Sequence, residues 1–209
     1  MRKLIYYIAS TVDGFIAREN GAFDFFPMTG EHLPYVVEEY PETIPTHLRE
    51  VMGVRGANRH FDAVVMGRRT YNVGASARIT SPYSHLQQYV VSSTMAASPD
   101  SAVSLISADP VDAVRALKQQ DGLGIWLCGG GRLAATLLDE IDEMVLKINP
   151  IILGTGTPLF RCEERPVNLE LTDTRTFAGG VAIHRYRIAR QTAPCITAPP
   201  NEALQASGY

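Results

Sequence analysis

Two segments of the chain share one order of residues: a short apolar run, then glycine, then arginine, then a stretch with helical character. They read DAVVM before Gly67-Arg68-Arg69-Thr70-Tyr71, and IWLC before Gly129-Gly130-Gly131-Arg132-Leu133. A third apolar run, YVV, ends in Ser92-Ser93-Thr94. The start of a helix carries partial positive charge and unpaired N–H groups, so a cation there is unfavourable by about 0.3–1 kcal/mol. Placing Arg68, Arg69 and Arg132 at two such starts breaks a local rule, as functional sites often do. A bound anion reverses the sign, and glycine lets it approach the backbone closely. Two such cradles on neighbouring strands suit a diphosphate with a further phosphate nearby, which points to an NADP-type dinucleotide. The competing reading of either Gly-Arg pair alone is an ordinary turn before a solvated helix face. The triple glycine is the more specific signal, because three flexible residues cost of order 1 kcal/mol each in conformational entropy. Gly129-x-Gly131-x-x-Ala134 also fits the dinucleotide fingerprint formally, but the next strand ends Lys147-Ile148-Asn149 with no acid, against a standard Rossmann site.

Other candidates are more isolated. Asp13-Gly14 is a turn signal, and Asp13 is also the acid nearest a first strand end. Cys128 precedes a helix start, where a thiolate would be stabilised, but reads first as a buried inert thiol. His47, His60 and His184 have no ligand spacing with any Cys or carboxylate, so no metal site is expected. Asp24, Glu38, Glu39, Glu42 and Glu50 read as solvated charges. Neither a Gly-x-Ser-x-Gly elbow nor a P-loop is present.

The elements that must position these residues follow from apolar runs and their punctuation. Residues 4–9, 62–66, 89–91, 124–128 and 143–148 read as buried strands. Asp109-Pro110 is a helix start, with Asp at the cap and Pro at the first position, and the helix stops at Asp121-Gly122. A second helix is expected over 132–139, and two proline-separated helical pieces within 31–58, the later one over 46–53. Residues 169–177 and 181–188 read as a closing hairpin. Strands and helices alternate and the central strands are continuously apolar, which predicts a mainly parallel sheet covered on both faces. One domain over residues 1–190 is expected, with 191–209 a loose tail.

With 209 residues, 45% of them hydrophobic, the chain is long enough to fold around a core without disulfide or metal. A formal net charge of −3 argues against general nucleic-acid binding. Three cysteines without a CxxC pair fit a reducing compartment, and the six-residue run LIYYIA is too short for a signal peptide core. A cytoplasmic protein is expected. Of the 19 basic residues 16 are arginine, so where they sit matters more than how many there are.

Taken in order, the segments YIASTVDGFIA (7–17), FDAVVMGRRTY (61–71), YVVSST (89–94), IWLCGGGRLAATLL (125–138), IDEMVLKINPIILGTGTPLF (141–160) and GGVAIHRYRI (179–188) resemble the dihydrofolate reductase-like family. They are most similar to the bacterial branch that includes the C-terminal reductase domain of the riboflavin-biosynthesis deaminase-reductase. The resemblance implies a mixed, mostly parallel sheet of about eight strands with helices on both faces, a C-terminal antiparallel hairpin, and NADPH as cofactor. It implies that Ala9 and Ile16 present backbone groups to the nicotinamide carboxamide. Gly67, Arg68, Arg69 and Thr70 would hold the diphosphate and 2′-phosphate, and Ser92 and Ser93 the adenosine ribose phosphate. Gly129, Gly130, Gly131, Arg132 and Leu133 would form the second phosphate turn, with a cis peptide at Gly129-Gly130. The family's folate enzymes carry a carboxylate on the helix after the first loop, for which Glu38 and Glu39 are the candidates here. Where those enzymes have a threonine on the fifth strand, this chain has Lys147. Phe25, Phe26 and Lys147 are therefore expected at the substrate, and Asp13 as the proton donor. The riboflavin-pathway reductases carry an Asp-x-Pro-x-Leu-x-x-Arg stretch that NVGASARITSPYSHL (72–86) lacks, and the deaminase domain has no counterpart in these residues. The implied activity is hydride transfer to a C=N or C=O carbon of a small heterocyclic or ribosylamino substrate. The alternatives are reduction of the pathway's own aminouracil ribosyl phosphate, and a catalytically inactive NADPH-binding regulator. A homodimer paired through the sheet edge is also implied.

Overall fold

Successive side chains on a strand point to opposite faces, so a continuously apolar strand needs cover on both sides. The computed structural model, which describes residues 1–189, meets that requirement with two separate cores. Strand β1 (Leu4–Thr11) sends Ile5 and Tyr7 into one and Leu4 and Tyr6 into the other. Strands β3 (Phe61–Gly67), β6 (Gly124–Gly129) and β7 (Ile141–Asn149) divide in the same way. The first core is covered by α1 (His32–Glu39), through Val36, and by α3 (Arg68–Ser76), through Tyr71. The second is covered by α4 (Pro110–Lys118), through Val114 and Leu117, and by α5 (Gly131–Thr136), through Leu133 and Ala134.

Eight strands form one sheet. Besides those named, they are β4 (Gln87–Val91), β5 (Val103–Ile106), β9 (Leu169–Thr176) and β10 (Ala182–Ile188), in the order β5-β4-β3-β6-β1-β7-β10-β9. The first six are parallel, while β10 runs antiparallel to β7 and β9 antiparallel to β10. The mixed sheet, its covering helices and the closing antiparallel pair are those expected. A second, two-stranded sheet pairs β2 (Phe15–Ala17) with β8 (Thr157–Pro158). Because the central strands are parallel, the carboxyl ends of β4, β3, β6, β1 and β7 lie along a single edge, where open α/β sheets bind ligands.

The cap expected at Asp109 is present: its Oδ1 accepts from the N–H groups of Val111 (2.9 Å) and Asp112 (3.2 Å). At the other end of α4, buried Lys118 donates to the Glu140 carbonyl (2.9 Å) and pairs with Asp142 (2.7 Å). Several expectations are corrected. The helix over 46–53 shortens to α2 (Thr46–Arg49), beyond which the chain continues in turns to Gly53, at φ 70°. The helix expected over 132–139 is α5, one residue earlier at its start and shorter at its end, because Leu137 and Leu138 turn inward to lead into β7. Strand β5 was not anticipated: it pairs only with β4 and buries only Val103, so its sequence lacks a clear apolar run. Strands β2 and β8 are too short to carry a pattern.

Two of the supposedly solvated acids are not solvated. Glu42 is fully buried, and its carboxylate accepts from the N–H groups of His60 (2.6 Å), Phe61 (2.8 Å) and Arg59 (3.3 Å), capping the start of β3. Glu39 pairs with Arg59 (3.1 Å) and His60 (2.9 Å). The expected tail at 191–209 lies outside the described residues.

Candidate active site

The turn after β3 and the turn after β6 meet. A Cβ built on Gly67 would lie 3.5 Å from the Gly129 carbonyl oxygen and 3.7 Å from the Gly130 nitrogen. Both helices that follow, α3 capped by Gly67 and α5 capped by Gly130, begin without a side-chain cap. The three glycines of the second turn have different reasons to be glycine. Gly129 has φ 117°, which other residues rarely adopt. At Gly131 a Cβ would sit 2.1 Å from the carbonyl oxygen of Pro158, so the backbone of β8 occupies the space. At Gly130 a Cβ meets nothing closer than 4.0 Å, from Ile16 and Thr70, and that side is open. The Gly129–Gly130 peptide bond is cis, as the resemblance implies.

Around this junction the expected phosphate-side residues converge. Arg68, Arg69 and Arg132 are exposed, and none forms an ion pair among the described residues. Arg68 donates to the Thr94 hydroxyl. Buried Ser92 accepts at Oγ from the N–H groups of Thr94 (3.3 Å) and Met95 (3.1 Å), which folds the loop after β4 toward Arg68, while Ser93 is exposed. Leu133 differs: its side chain belongs to the core beneath α5.

Asp13 is a clamp. Its carboxylate accepts from the Thr11 hydroxyl (2.5 Å) and from the N–H groups of Leu153 (3.1 Å) and Gly154 (2.7 Å). These bonds, that from Thr11 foremost, hold its pKa below the usual carboxylate range. An acceptor engaged by three donors suits a positioning role, which stands beside the expected role of proton donor. Asp13 ties the β1–β2 turn to the segment after β7. Burial pushes the Cys128 thiol up to about 12, against a hydrogen bond with Tyr83, which favours the inert reading over the thiolate.

On the α1 side of the sheet, Lys147 of β7 stands in register with Ala9 of β1 and Ile183 of β10. Burial alone lowers its pKa. Above this strand, at the start of α1, lies His32, 2% exposed, with no hydrogen-bond partner for Nε2. Burial first and then the Lys147 ammonium lower its pKa, against a hydrogen bond with the Pro27 backbone. His32 was absent from the sequence candidates; its place at the start of the first helix was the only signal. Nearby is a cavity of about 310 Å³ lined by Phe25, Pro27, Gly30, His32, Ile151 and Val181, among others. Phe25 lines this cavity with its ring under Arg18 at 5.1 Å, whereas Phe26 is buried and packs against Phe25 at 4.4 Å. The two candidate acids of α1 do not reach this place: Glu39 is paired with Arg59 and His60, and Glu38 is exposed. Among the described residues there is no cluster of three or more His, Cys, Asp or Glu side chains able to hold a metal, and no helix long and apolar enough to cross a membrane.

Comparison with known proteins agrees with this geometry. The uncharacterised protein YwjB of Bacillus subtilis (strain 168) is 28% identical over 188 residues, covering 89% of this chain and 98% of its own. A Shewanella sp. PV-4 crystal structure named for riboflavin biosynthesis superposes with TM-score 0.67 at 27% identity, covering 91% of this chain and all of that one. Dihydrofolate reductase from Enterococcus faecalis, complexed with NADP(H), shares the fold with TM-score 0.57 at 16% identity, over 90% of this chain and 97% of that one. The family model for the RibD C-terminal domain matches residues 2–183, and the chain belongs to that family.

Proposed function

We propose that this chain is an NADPH-dependent reductase acting on a C=N or C=O carbon of a small heterocyclic or ribosylamino substrate. The observation that carries the proposal is the meeting of two glycine turns, open at Gly130, and a Ser/Thr loop at the carboxyl ends of β4, β3 and β6, beside arginines without carboxylate partners among the described residues. The fit to a phosphorylated dinucleotide rests on this chain's own features. The first turns of α3 and α5 lack side-chain caps, and the space beside Gly130 is free. Arg68, Arg69 and Thr70, with Ser92 and Ser93, would bind the diphosphate and the 2′-phosphate. Gly129 to Leu133 would receive the diphosphate from the other side through main-chain N–H groups. Ala9 and Ile16 would orient the nicotinamide by their backbone. When bound, NADPH supplies the hydride; the protein's part is to position the ring and hold the substrate over it. The reading is supported in kind by the NADP(H) complex of the Enterococcus faecalis enzyme.

The test is a titration with NADPH and with NADH followed by quenching of Trp126. This only tryptophan is buried, donates to the Tyr7 carbonyl (3.0 Å), and stands three residues before Gly129. Quenching by NADPH with much weaker quenching by NADH is expected. Absence of quenching by either overturns the proposal.

The same reading carries a single reductase domain and a homodimer. All eight residues of the edge strand β9 are exposed, with Leu169 and Leu171 at 42% and 53%. An open edge with unpaired main-chain groups can pair with another copy. Light scattering of the purified protein checks this, and a monomeric mass refutes it.

A further inference from the structure

The cavity beyond the end of β7 is walled by the loop before α1, by Pro150 and Ile151, and by the turn between β9 and β10. Its walls carry two polar side chains, Thr29, which is exposed, and His32, which is 2% exposed. The His32 ring is fixed on three sides. Its edge packs against Phe177 at 6.3 Å, and Nδ1 lies over Gly30, where a Cβ would come within 3.2 Å. Gly30 stands at φ 124°, so the turn and the room for the ring require the same residue. Through Nδ1 the ring donates to the Pro27 carbonyl. A proton held at Nδ1 leaves Nε2 with a bare lone pair, and this lone pair is buried without a donor.

A buried acceptor without a donor costs stability and is retained where a donor arrives from outside the fold. The neighbours bound what that donor is. Lys147, half-buried on the strand beneath, is near enough for its charge to act on His32, yet it does not donate to Nε2. Arg18 stands over the Phe25 ring at 5.1 Å and meets Asp24 at 3.5 Å. Glu31, next to His32, accepts from the Ala178 N–H (3.3 Å), and the Asp13 carboxylate is engaged by its own turn. A cationic ring would meet like charge here, and an anionic one would meet the lone pair of Nε2. An uncharged donor satisfies both constraints.

Resting on the reductase reading, we infer that the substrate is an uncharged heterocycle that presents an N–H or O–H donor to Nε2 of His32. Its apolar faces lie against the walls formed by Phe25, Ile151 and Val181. His32 is then a specificity residue: a ring of the same shape without the donor leaves the lone pair buried and unpaired, and is rejected for that reason.

Indole and benzofuran, one shape with and without an N–H, are the probes. Their binding to the full chain is followed by NMR through the His32 ring nitrogens, with and without saturating NADPH. Indole is expected to bind and to shift Nε2 while Nδ1 stays protonated, and benzofuran to bind about tenfold more weakly or worse. Benzamide, an uncharged donor, should bind more tightly than benzamidine, which donates with a positive charge. His32→Phe should bring the indole and benzofuran affinities together. Equal binding of indole and benzofuran, a preference for benzamidine, failure of both indole and benzamide to bind, or an indole preference that survives in His32→Phe overturns the inference. If His32→Phe does not fold, the parent decides alone: bound indole that leaves Nε2 unshifted overturns it. A ligand-free Nε2 that is already hydrogen-bonded, and loses that signature in Lys147→Met, makes Lys147 the donor and overturns it too. The Trp126 titration with NADPH stands apart from these outcomes. Quenching without discrimination between indole and benzofuran defeats the donor ligand alone, whereas absent quenching defeats the reductase reading while the two probes still decide the fate of the His32 site.

Discussion

The glycine-arginine side of the sheet edge and the floor beneath α1 are built in opposite ways. On the first, glycine turns and exposed arginines present main chain and mobile charge to solvent. On the second, a half-buried lysine lies beneath a buried histidine that packs against Phe177 at 6.3 Å. A surface made of backbone and long flexible side chains recognises a fixed, repeated chemistry such as phosphate. A surface made of buried side chains from four separate elements changes its preference when one residue changes. The conserved half of a reaction can therefore be kept while the other half is respecified, and each half should fail in its own manner when altered.

The sharpest way to separate the halves is a pair of glycine substitutions. Gly131→Ala drives a methyl to 2.1 Å from the Pro158 carbonyl, and neither backbone can yield without disturbing the β2–β8 pair. Overpacking of this kind costs about 3 kcal/mol, which for a chain of this size lowers Tm by roughly 6–12 °C. Gly67→Ala, at φ −72° and ψ 155° with its nearest neighbour at 3.5 Å, should fold with a Tm close to the parent's yet bind NADPH more weakly. Calorimetry together with the Trp126 titration distinguishes the two. A Gly67→Ala protein with undiminished NADPH affinity would show that the first turn is only a turn.

A step smaller is the arginine pair. Hydrogen bonds to charged groups are worth about 1.5–3 kcal/mol. Arg69→Gln should therefore raise the Kd for NADPH by about tenfold or more and leave that for NADH nearly unchanged, as the 2′-phosphate is the difference between them. Arg68→Gln should do the same and also free Thr94. Equal losses for both nucleotides would move these arginines from the 2′-phosphate to the diphosphate.

The same division governs what was legible in the sequence. Gly67-Arg68-Arg69 and Gly129-Gly130-Gly131 are contiguous, so their meaning survives without knowledge of the fold. The apolar runs likewise announced the parallel strands, and Asp109-Pro110 announced a helix start. Glu42 was misread because its partners, the amides of residues 59–61, arrive only when β3 is in place. His32 gains significance only through the placement of α1 over β7 and β10, whereas Lys147 was singled out by the resemblance without any knowledge of what faces it. Asp13 lies between: the turn was evident locally, but the donors from Leu153 and Gly154 were not.

The floor's own cost should be visible without any ligand. Burial lowers the pKa of Lys147, so its charged form is less comfortable folded than unfolded. Below its folded pKa both states are protonated and the whole penalty is felt; it fades as pH rises through that value toward the unfolded lysine range. Lys147→Met should consequently raise Tm at pH 7, by about 2–4 °C for each kcal/mol recovered, with the gain shrinking toward alkaline pH. A lower Tm in the variant would mean that Lys147 has a partner within the fold.

The smallest effect belongs to the clamp. Asp13 is exposed, and its folded pKa is depressed by the Thr11 hydroxyl and the amides of Gly154 and Leu153. A depressed carboxylate contributes stability that is present above its unfolded pKa and is lost as pH falls through the folded value. Asp13→Asn should therefore lower Tm slightly at pH 7, and the gap between variant and parent should close as pH drops below the ordinary carboxylate range. Thermal melts over that interval test the sign. The kinetic consequence separates a clamp from an acid: a positioning residue lowers turnover by the same factor at every pH above its titration. A proton donor would instead impose a new limb on the pH profile, and its appearance only in the parent would return Asp13 to the chemistry.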